Sequence, residues 1–500
     1  MKSLQPDIIQ PDIIQPSLTL YYPSYSSFQG EETPLRCWFK SLTFDHCPLP
    51  LDLFNMTIAR TICLGFIAVI LIGTVLLTMP FANATGEWTS LSTALFTSTS
   101  AVCVTGLAVV DTGTHFSFIG QLTILCLIQV GGLGYMTTTT FLILLIGKKF
   151  DFRQKVAISE SFDRPFLQGS QNLLKSVFAT TVIFELTAAF LLIPIFADDH
   201  GLRKGIWYAL FHAISAWNNA GFSLFSDSLT SYRASVPLNL IITTLVILGG
   251  IGYQVIIELY MWLTDKFNRR RHHKFDFSLN FKVVIRTTIV LLILGFVGFL
   301  ITEYNNPETI AYLPWEEKLV ASWFQSVTVR TAGFNSIDIG QMTTAGLFIT
   351  IGFMFIGASP SGTGGGLKTT TLAILLNTTR AVLRGKEEVI MYKREVPFSL
   401  ILKAIGVLFG SVMTIIMVMV VISIANPEIE LAAIWFEVVS AFATVGLSTG
   451  ITAKLSLIGK LAIVFTMYVG RVGVLLFMAA IIGDPRPSRI QYPEENLLVG

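Results

Sequence analysis

One short stretch of the chain, GASPSGTGGGLKTTT at residues 357–371, is rich in glycine, serine and threonine. Glycines followed by lysine and threonine are typical of phosphate-binding loops, in which backbone N–H groups surround a phosphate. Such a loop needs its lysine directly after the last glycine and a short strand before it. Here Leu367 separates Gly366 from Lys368, and a long apolar segment precedes the stretch. We therefore favour an irregular segment at membrane depth, which is tolerated only where it lines a cavity or packs within protein.

Four other stretches resemble one another, and each ends in a glycine followed by an apolar residue. They read FTSTSAVCVTGL (96–107), FHAISAWNNAGF (211–222), WFQSVTVRTAGF (323–334) and FEVVSAFATVGL (436–447). Each has an aromatic residue ten positions before its glycine, and three have serine six positions before it. The third has Val327 there and Ser326 one position earlier. The glycines lie 115, 112 and 113 residues apart, a period that predicts four copies of one structural unit.

The apolar part of each stretch is too short to cross a membrane. It measures about 10 to 14 residues, against about 20 for a spanning helix, which is typical of a re-entrant segment. Four non-helical loops around one water-filled axis would form a ring of carbonyl oxygens that can replace the hydration shell of a monovalent cation. The alternative is four ordinary helix C-caps with glycine, which leaves the shared period and context unexplained.

The composition indicates an integral membrane protein. Charged residues make up 13% of the chain and apolar residues 52%, against roughly 25% and 45–50% in soluble domains. Eight segments are apolar enough to span, and only the sixth is interrupted; they lie near residues 59–80, 119–147, 173–197, 238–263, 283–302, 343–378, 400–425 and 458–482. The predicted fold is all-α: four pseudo-repeats of span, re-entrant pore helix with filter loop, and span, giving eight transmembrane helices around one central pore.

Two other classes of membrane protein fit the sequence less well. An inverted-repeat carrier needs halves of opposite topology with broken helices in matching positions, whereas all four units share one topology. An enzyme needs converging His, Asp, Glu or Cys side chains, and none cluster in the sequence. We therefore expect a channel-like cation transporter that is not an enzyme and binds no cofactor covalently.

Basic residues predict the orientation. The connections between units carry 18 Lys and Arg residues and the opposite side five, so these connections and both termini are expected in the cytoplasm. Acidic residues at the outer mouth, among them Asp111, Glu303 and Asp338, are expected to raise the local cation concentration. The predicted divisions are 1–55, a disordered extension or a miscalled start; 56–150, 151–265, 266–380 and 381–484, the four repeats; and 485–500, a cytoplasmic tail.

The four loops, GTGGGLKTTT in the sixth span and YVGRVGVLLF (468–477) in the eighth together resemble the Trk/Ktr/HKT superfamily of potassium transporters, over about residues 57–484. The similarity is to the bacterial Ktr membrane subunit in particular. It implies K⁺ uptake across the bacterial plasma membrane that is dependent on or stimulated by Na⁺. In that family a serine in the first filter position goes with Na⁺ selectivity, and this chain has Gly106 there. A Na⁺-preferring transporter of the same fold is the alternative, because the other filter residues differ between repeats.

The resemblance also implies partners and site residues. The partners would be a second copy of the chain and cytosolic RCK-type nucleotide-binding regulatory subunits (KtrA-like), in a lipid membrane. The filter would consist of Val104, Thr105 and Gly106; Asn219, Ala220 and Gly221; Thr331, Ala332 and Gly333; and Thr444, Val445 and Gly446. The gate would be a loop at 357–368 suspended below the filter, with Gly362, Thr363, Gly364, Gly365, Gly366 and Lys368.

Two arginines in apolar surroundings need partners. Arg471 stands near the middle of the eighth span, where an unpaired charge costs at least a few kcal/mol. Its predicted partner is Glu437 in the fourth short helix, with filter carbonyls as the second option, and the family places this arginine beside the pore. Arg330, three residues before Gly333, could hold the third loop by donating to backbone carbonyls.

Overall fold

The computed structural model describes residues 57–134, 170–267 and 276–483. The predictions for residues 1–55, for the tail at 485–500 and for the junction of the first two repeats at 150/151 lie outside these residues. Within them the chain is mostly helical. A two-stranded antiparallel hairpin, β1 (Ile390–Met391) and β2 (Arg394–Glu395), follows the third unit.

Each unit contains the same helices in the same order: a long first helix, a shorter pore helix, a loop and a second apolar helix. The first helices are α1 (Ile58–Thr78), α5 (Ser170–His200), α9 (Leu279–Glu303) and α13 (Phe398–Ala425). The pore helices are α2 (Leu91–Val102), α6 (Leu202–Trp217), α10 (Trp315–Thr328) and α14 (Leu431–Phe442). A single turn, α3 (Thr112–His115), follows the first pore loop.

The second helices are α4 (Phe118–Leu133), α7 (Val236–Ile251) with α8 (Tyr253–Phe267), α11 (Thr344–Phe355) with α12 (Thr369–Val382), and α15 (Leu457–Val472) with α16 (Val474–Ile482). Those of the second, third and fourth units are each broken into two helices. Four helices of the described part are long and apolar enough to span a membrane, or six if the bent pairs α7–α8 and α15–α16 each count as one span. The predicted total of eight spans therefore stays a prediction.

The prediction that only the sixth span is interrupted is wrong. The chain bends by 102° between α7 and α8 and by 97° between α15 and α16. The residues at these bends, Gly252 and Gly473, have φ of 97° and 91°, which a right-handed helix does not accommodate. Gly134, at the end of α4, has φ of 78°. Hydropathy stays high across these positions, so a count of apolar residues does not reveal the bends.

In the first, third and fourth units, the two helix ends that the basic residues predict to face outward, called here the outer ends, are joined by the residue that caps the second helix. The caps Ser117, Thr343 and Ser456 accept hydrogen bonds from the N–H groups of Gly120, Gly346 and Gly459 at 3.2, 3.0 and 3.2 Å. Their own N–H groups donate to the Ala82 carbonyl (2.9 Å), the Glu303 carboxylate (3.2 Å) and the Asn426 side chain (2.7 Å). Each of these acceptors lies at or just beyond the outer end of the unit's first helix. The pore helix is thus held between two helices whose outer ends are joined.

Burial distinguishes the central pore helices from the long helices at the periphery. The C-terminal half of α2 is buried from Phe96 to Val102, and the corresponding halves of the other pore helices are buried in the same way. The long helix α13 has only 22% of its most apolar window buried and exposes large side chains such as Phe409 and Met417. The apolar exposed faces are those expected of helices in contact with lipid.

We expect Glu303→Ala to destabilise the protein. Glu303 is 1% exposed and accepts hydrogen bonds from Asn306 (2.7 Å), Thr309 (2.9 Å) and the Thr343 side chain (2.7 Å), in addition to the cap N–H. Leaving these buried donors unpaired costs about 1–3 kcal/mol each, so the apparent melting temperature in detergent should fall clearly below that of wild type. Glu308→Ala, at an exposed position in the same loop, is the control. If Glu303→Ala kept the melting temperature of wild type but impaired cation uptake, Glu303 would act as a charge at the outer mouth instead.

Candidate functional site

The four glycine-ended loops share one backbone conformation. In each loop the glycine and the residue two positions before it have positive φ, and the residue between them does not. The values are 57° and 91° for Val104 and Gly106, 56° and 67° for Asn219 and Gly221, 88° and 76° for Thr331 and Gly333, and 52° and 92° for Thr444 and Gly446. Alternating handedness points successive backbone dipoles the same way. Positive φ is unfavourable for β-branched residues, so the surrounding structure must impose this conformation.

The loops form a closed ring in chain order. Each glycine lies against the carbonyl oxygen of the residue before the next glycine, so that a β-carbon at Gly106 would lie 2.5 Å from the Ala220 oxygen and one at Gly221 would lie 2.8 Å from the Ala332 oxygen. Gly333 meets the Val445 carbonyl in the same way, and Gly446 meets that of Thr105, which closes the ring. A ring of neutral oxygen atoms with no intruding side chain can bind a dehydrated monovalent cation.

Hydroxyl groups of the pore helices fix the loops. Ser100 and Ser440 accept from the N–H groups of Gly106 and Gly446 at 3.1 Å, while Ser215 and Thr328 donate to the carbonyls of Phe222 and Phe334 at 2.8 and 2.7 Å. In the third unit this hydroxyl belongs to Thr328, since Val327 occupies the position where the other units have serine. Ser326 instead donates to the Leu292 carbonyl of α9 at 2.7 Å. The third unit thus keeps a hydroxyl anchor, shifted by one residue.

An open cavity of about 380 Å³ lies on the outer side of the ring, and all four glycines contribute to its lining. Asp111 and Asp338 line it too, and both also accept hydrogen bonds from nearby backbone N–H groups at 2.8 and 2.9 Å. Glu303 does not line the cavity and is buried. Of the nine carboxylates that the sequence places at the outer mouth, Asp111 and Asp338 therefore line this cavity and the other seven do not.

The glycine-rich segment at 357–368 contacts three of the four loops. The Thr363 hydroxyl lies 3.0 Å from the side-chain amide of Asn219, and the N–H of Gly365 donates to the Thr444 hydroxyl at 2.9 Å. A β-carbon at Gly364 would lie 2.7 Å from Cβ of Thr331. The segment therefore packs against the residue two positions before the glycine in the second, third and fourth loops, on the side of the ring opposite the outer cavity.

Backbone hydrogen bonds join this segment to the bend of the second unit. The N–H groups of Ser359 and Thr363 donate to the carbonyls of Gly250 (3.0 Å) and Gly249 (3.2 Å), and Ser361 accepts from the N–H of Tyr253 (3.2 Å). The Lys368 ammonium donates to the Gly364 carbonyl at 2.7 Å. These partners satisfy backbone groups that a helix would otherwise satisfy, as non-helical chain at membrane depth requires.

The prediction that Arg471 pairs with Glu437 is wrong. The guanidinium donates to the carbonyls of Thr363 and Gly131, and to that of Gly132 at 3.4 Å. None of these three carbonyls belongs to the filter residues, so the second option is not observed either. Glu437 instead lies behind the wall of the outer cavity and accepts from Ser448 (2.9 Å) and Thr452. The two side chains lie on opposite sides of the ring. Arg471 connects the glycine-rich segment at 357–368 to the first unit.

Arg330 has surroundings that the sequence does not suggest. It is 9% exposed, and its Nε atom finds no acceptor within the described ranges, so the expected bonds from this atom to backbone carbonyls of the third loop are not formed. It lines a cavity of about 20 Å³ together with Gly250, Thr288 and Ala358. This volume suits about one water molecule. The guanidinium is therefore buried beside the glycine-rich segment at 357–368, with room for about one water molecule.

A recurring G-x-x-G pattern was not used in the sequence analysis, although it marks the contact between second helices and pore helices. It occurs at 131–134, 249–252 and 470–473, and the last glycine of each is a bend or helix end with positive φ. The first glycine packs against the carbonyl of the last pore-helix residue in its own unit, pairing Gly131 with Val102, Gly249 with Trp217, and Gly470 with Phe442. Arg471 follows the first glycine, where the other two units have a second glycine.

A buried polar network behind the second loop was also missed. The Asn218 side chain donates to Glu185 at 3.1 Å and to Gln129 at 2.9 Å, and Gln129 donates to Glu185 at 3.3 Å. Three polar residues on α4, α5 and the second loop thus hydrogen-bond to one another, and only the Asn218 Oδ1 atom of this group finds no donor within the described residues. Their separation along the chain leaves no local signal of this network.

Comparison with known proteins gives a consistent result. The family model described as "TrkH: Cation transport protein" matches residues 54–488. The Ktr system potassium uptake protein B of Bacillus subtilis is 39% identical over 446 residues, which is 89% of this chain and 97% of that protein. The potassium/sodium uptake protein NtpJ of Enterococcus hirae is 38% identical over 446 residues, 88% of this chain and 97% of that protein.

A solved structure supports the fold. The potassium transporter TrkH from Vibrio parahaemolyticus matches with a TM-score of 0.63 and 16% identity, covering 90% of this chain and 88% of that one. At this identity the match speaks for the shared arrangement of helices.

We expect Arg330→Met to raise the melting temperature of the protein and Arg471→Met to lower it. Replacing a buried, poorly hydrated charge by an apolar side chain of similar length removes a desolvation cost. Loss of Arg471 instead removes a donor from the carbonyls of Thr363, Gly131 and Gly132. Each change should amount to about 1–3 kcal/mol. Thermal unfolding of the two purified variants in the same detergent measures both. A lower melting temperature for Arg330→Met would show that the guanidinium has partners that stabilise it.

Proposed function

The chain belongs to the TrkH family of cation transport proteins, and we propose that within this family it takes up potassium through the ring of four glycine-ended loops. The ring carries the proposal: the carbonyl oxygen before each glycine lies against the glycine of the neighbouring loop, so four neutral oxygens would surround one axis. Such oxygens offset the loss of the hydration shell of K⁺ more fully than that of the smaller, more strongly hydrated Na⁺. The names of the B. subtilis and E. hirae relatives support K⁺ as the transported ion.

Dependence on Na⁺, or its stimulation of uptake, belongs to the same proposal. One relative, NtpJ, is named a potassium/sodium uptake protein. A Na⁺-preferring transporter of the same fold is the alternative function, since the residues before the four glycines are Thr105, Ala220, Ala332 and Val445 and so differ between repeats. Uptake of K⁺ against Na⁺ in cells without their own potassium uptake systems separates the two. Preferential Na⁺ uptake would favour the alternative.

The proposed gate is the segment at 357–368. It lies against three of the four loops and would obstruct the pore on their inner side. Three groups of contacts would hold it closed: the backbone bonds to Gly249 and Gly250, the bond from Arg471 to the Thr363 carbonyl, and the bond from the N–H of Gly365 to the Thr444 hydroxyl. Opening would require these polar groups to be satisfied by water in the widened pore.

The proposed partners act on the cytoplasmic side. The segment at 357–368 continues directly into α12, which ends at Val382, and the exposed residues Arg384 and Lys386 follow. An RCK-type ring that binds these residues could move α12 and with it the gate. A homodimer in the bacterial plasma membrane, with both termini in the cytoplasm, completes the proposal. Arg269, Arg270 and Arg271, which are expected to contribute to the same docking surface, lie outside the described residues.

We expect Gly106→Ser to weaken discrimination of K⁺ over Na⁺. Its β-carbon would meet the Ala220 carbonyl at 2.5 Å, with φ at 91°, so the ring must distort. Strain of about 1–2 kcal/mol corresponds to roughly tenfold in relative uptake. Gly450→Ser is the matched control, since Gly450 has φ of 90° and nothing within 4 Å of an added β-carbon. Unchanged selectivity in Gly106→Ser, measured as competing K⁺ and Na⁺ uptake, would argue against the ring as the filter.

We expect Gly364→Ala with Gly365→Ala to increase flux and to make it less dependent on the regulatory partner. Added β-carbons would meet Cβ of Thr331 at 2.7 Å and the Thr444 hydroxyl at 2.6 Å, which pushes the segment away from the loops. Ion selectivity should stay near wild type because neither substitution changes a residue of the four loops. Gly352→Ala, in the same span but with nothing within 4 Å, is the control. Wild-type flux with full regulation in a normally folded double variant would exclude the gate role, and deletion of residues 361–366 provides a second test.

A further inference from the structure

A second cavity lies far from the pore loops, between α9, α12 and the β1–β2 hairpin. Its volume is about 450 Å³, and it is open at one side. Arg286, Thr287, Asn377 and Arg380 supply its polar lining, and the remaining walls are apolar except for Tyr392. None of the residues that line it is acidic. The cavity is thus apolar along its length and positively charged at one end.

The two arginines of this cavity are exposed and have no carboxylate partner in the described part of the chain. The nearby basic side chains Lys282 and Arg394 differ, since both pair with Asp276, at 2.6 and 3.4 Å. The Lys282 ammonium also holds the pKa of Asp276 below its usual range, so this carboxylate stays ionised. Asp276 thus pairs with two basic side chains outside the cavity, whereas Arg286 and Arg380 inside it have no carboxylate partner in the described part of the chain.

The polar and apolar parts of the cavity are separated along the membrane normal. Arg286 lies in the second turn of α9, and Val290 and Leu294 follow on the same helix face at intervals of four residues. Eight residues of helix span about 12 Å, close to the half-thickness of about 15 Å of the hydrocarbon core. On α12 the order is reversed, as the chain runs from Leu372 and Leu376 to Arg380 near its end. Both helices therefore place arginine at the same end and leucine towards the membrane centre.

We propose that this cavity, named here the α9–α12 groove, binds a phospholipid with an anionic headgroup, the phosphate between Arg286 and Arg380 and an acyl chain along Val290, Leu294 and Leu376. Guanidinium groups suit phosphate because they donate several hydrogen bonds in one plane. Basic pockets between membrane helices on the cytoplasmic side are suited to such headgroups, and positive residues predict that this end faces the cytoplasm. The proposal does not depend on which cation the protein transports.

The test uses the full chain purified in detergent, with three additives. Phosphatidylglycerol should raise the melting temperature, whereas phosphatidylcholine with the same acyl chains and inorganic phosphate should not. In native mass spectrometry, retention of phosphatidylglycerol should fall roughly fivefold in Arg286→Gln or Arg380→Gln and roughly 30-fold in the double variant. Arg384→Gln removes an exposed charge just beyond α12 that does not line the groove, and retention should match wild type.

Several outcomes would overturn the proposal. Equal stabilisation by phosphatidylcholine would mean an apolar groove without a headgroup site, and stabilisation by phosphate alone would mean a simple anion site. Undiminished retention in the double variant would place the lipid elsewhere. A wild-type dimer that excludes phosphatidylglycerol and dissociates in the double variant would assign the groove to a second copy of the chain. Cation uptake by the double variant in cells checks that it folds, because neither arginine lies near the ring.

Discussion

Backbone N–H and C=O groups inside a bilayer must find partners within the protein or in water that the protein encloses. This constraint explains most of the arrangement around the pore. The four loops and the glycine-rich segment are non-helical, and each is surrounded by helices on which hydroxyl, amide and guanidinium groups supply the missing bonds. For the proposed function, the carbonyl oxygens that face the axis would be satisfied by an ion or by water.

The same glycines that permit irregular backbone also set the distances between elements. Gly131, Gly249 and Gly470 let each second helix approach the end of its pore helix, where a side chain would collide with a carbonyl. In the second and fourth units the chain bends three residues later, at Gly252 and Gly473. The segment at 357–368 packs against the bend of the second unit. One type of residue thus produces both close packing and a change of direction.

The repeated elements can be predicted from the sequence, whereas the pairing of side chains between distant elements cannot. The period of the glycines predicts four similar loops, and the structure arranges the four glycines and the residues before them in one ring, because glycine is required locally in each copy. The role of these residues as a filter stays a prediction. Helix bends at Gly252 and Gly473 escape a hydropathy count, since their neighbours are as apolar as those of a straight span. The hydrogen-bond partners of Arg471 could not be predicted from the sequence either. Complementary charge suggested Glu437, but the actual acceptors are main-chain carbonyls, which every residue has and no sequence pattern marks.

The ring is built from one chain, and its quadrants follow one another in chain order. In an assembly of four identical subunits, a substitution enters every quadrant at once. Here it enters one, so each quadrant is free to diverge while the others keep the pore intact, as the differing residues before the glycines illustrate. The glycine-rich segment at 357–368 likewise occurs in a single copy among the described residues. For the gate proposed above, opening would therefore be a single event for each pore, without the concerted or sequential intermediates that arise when four equivalent gates must open together.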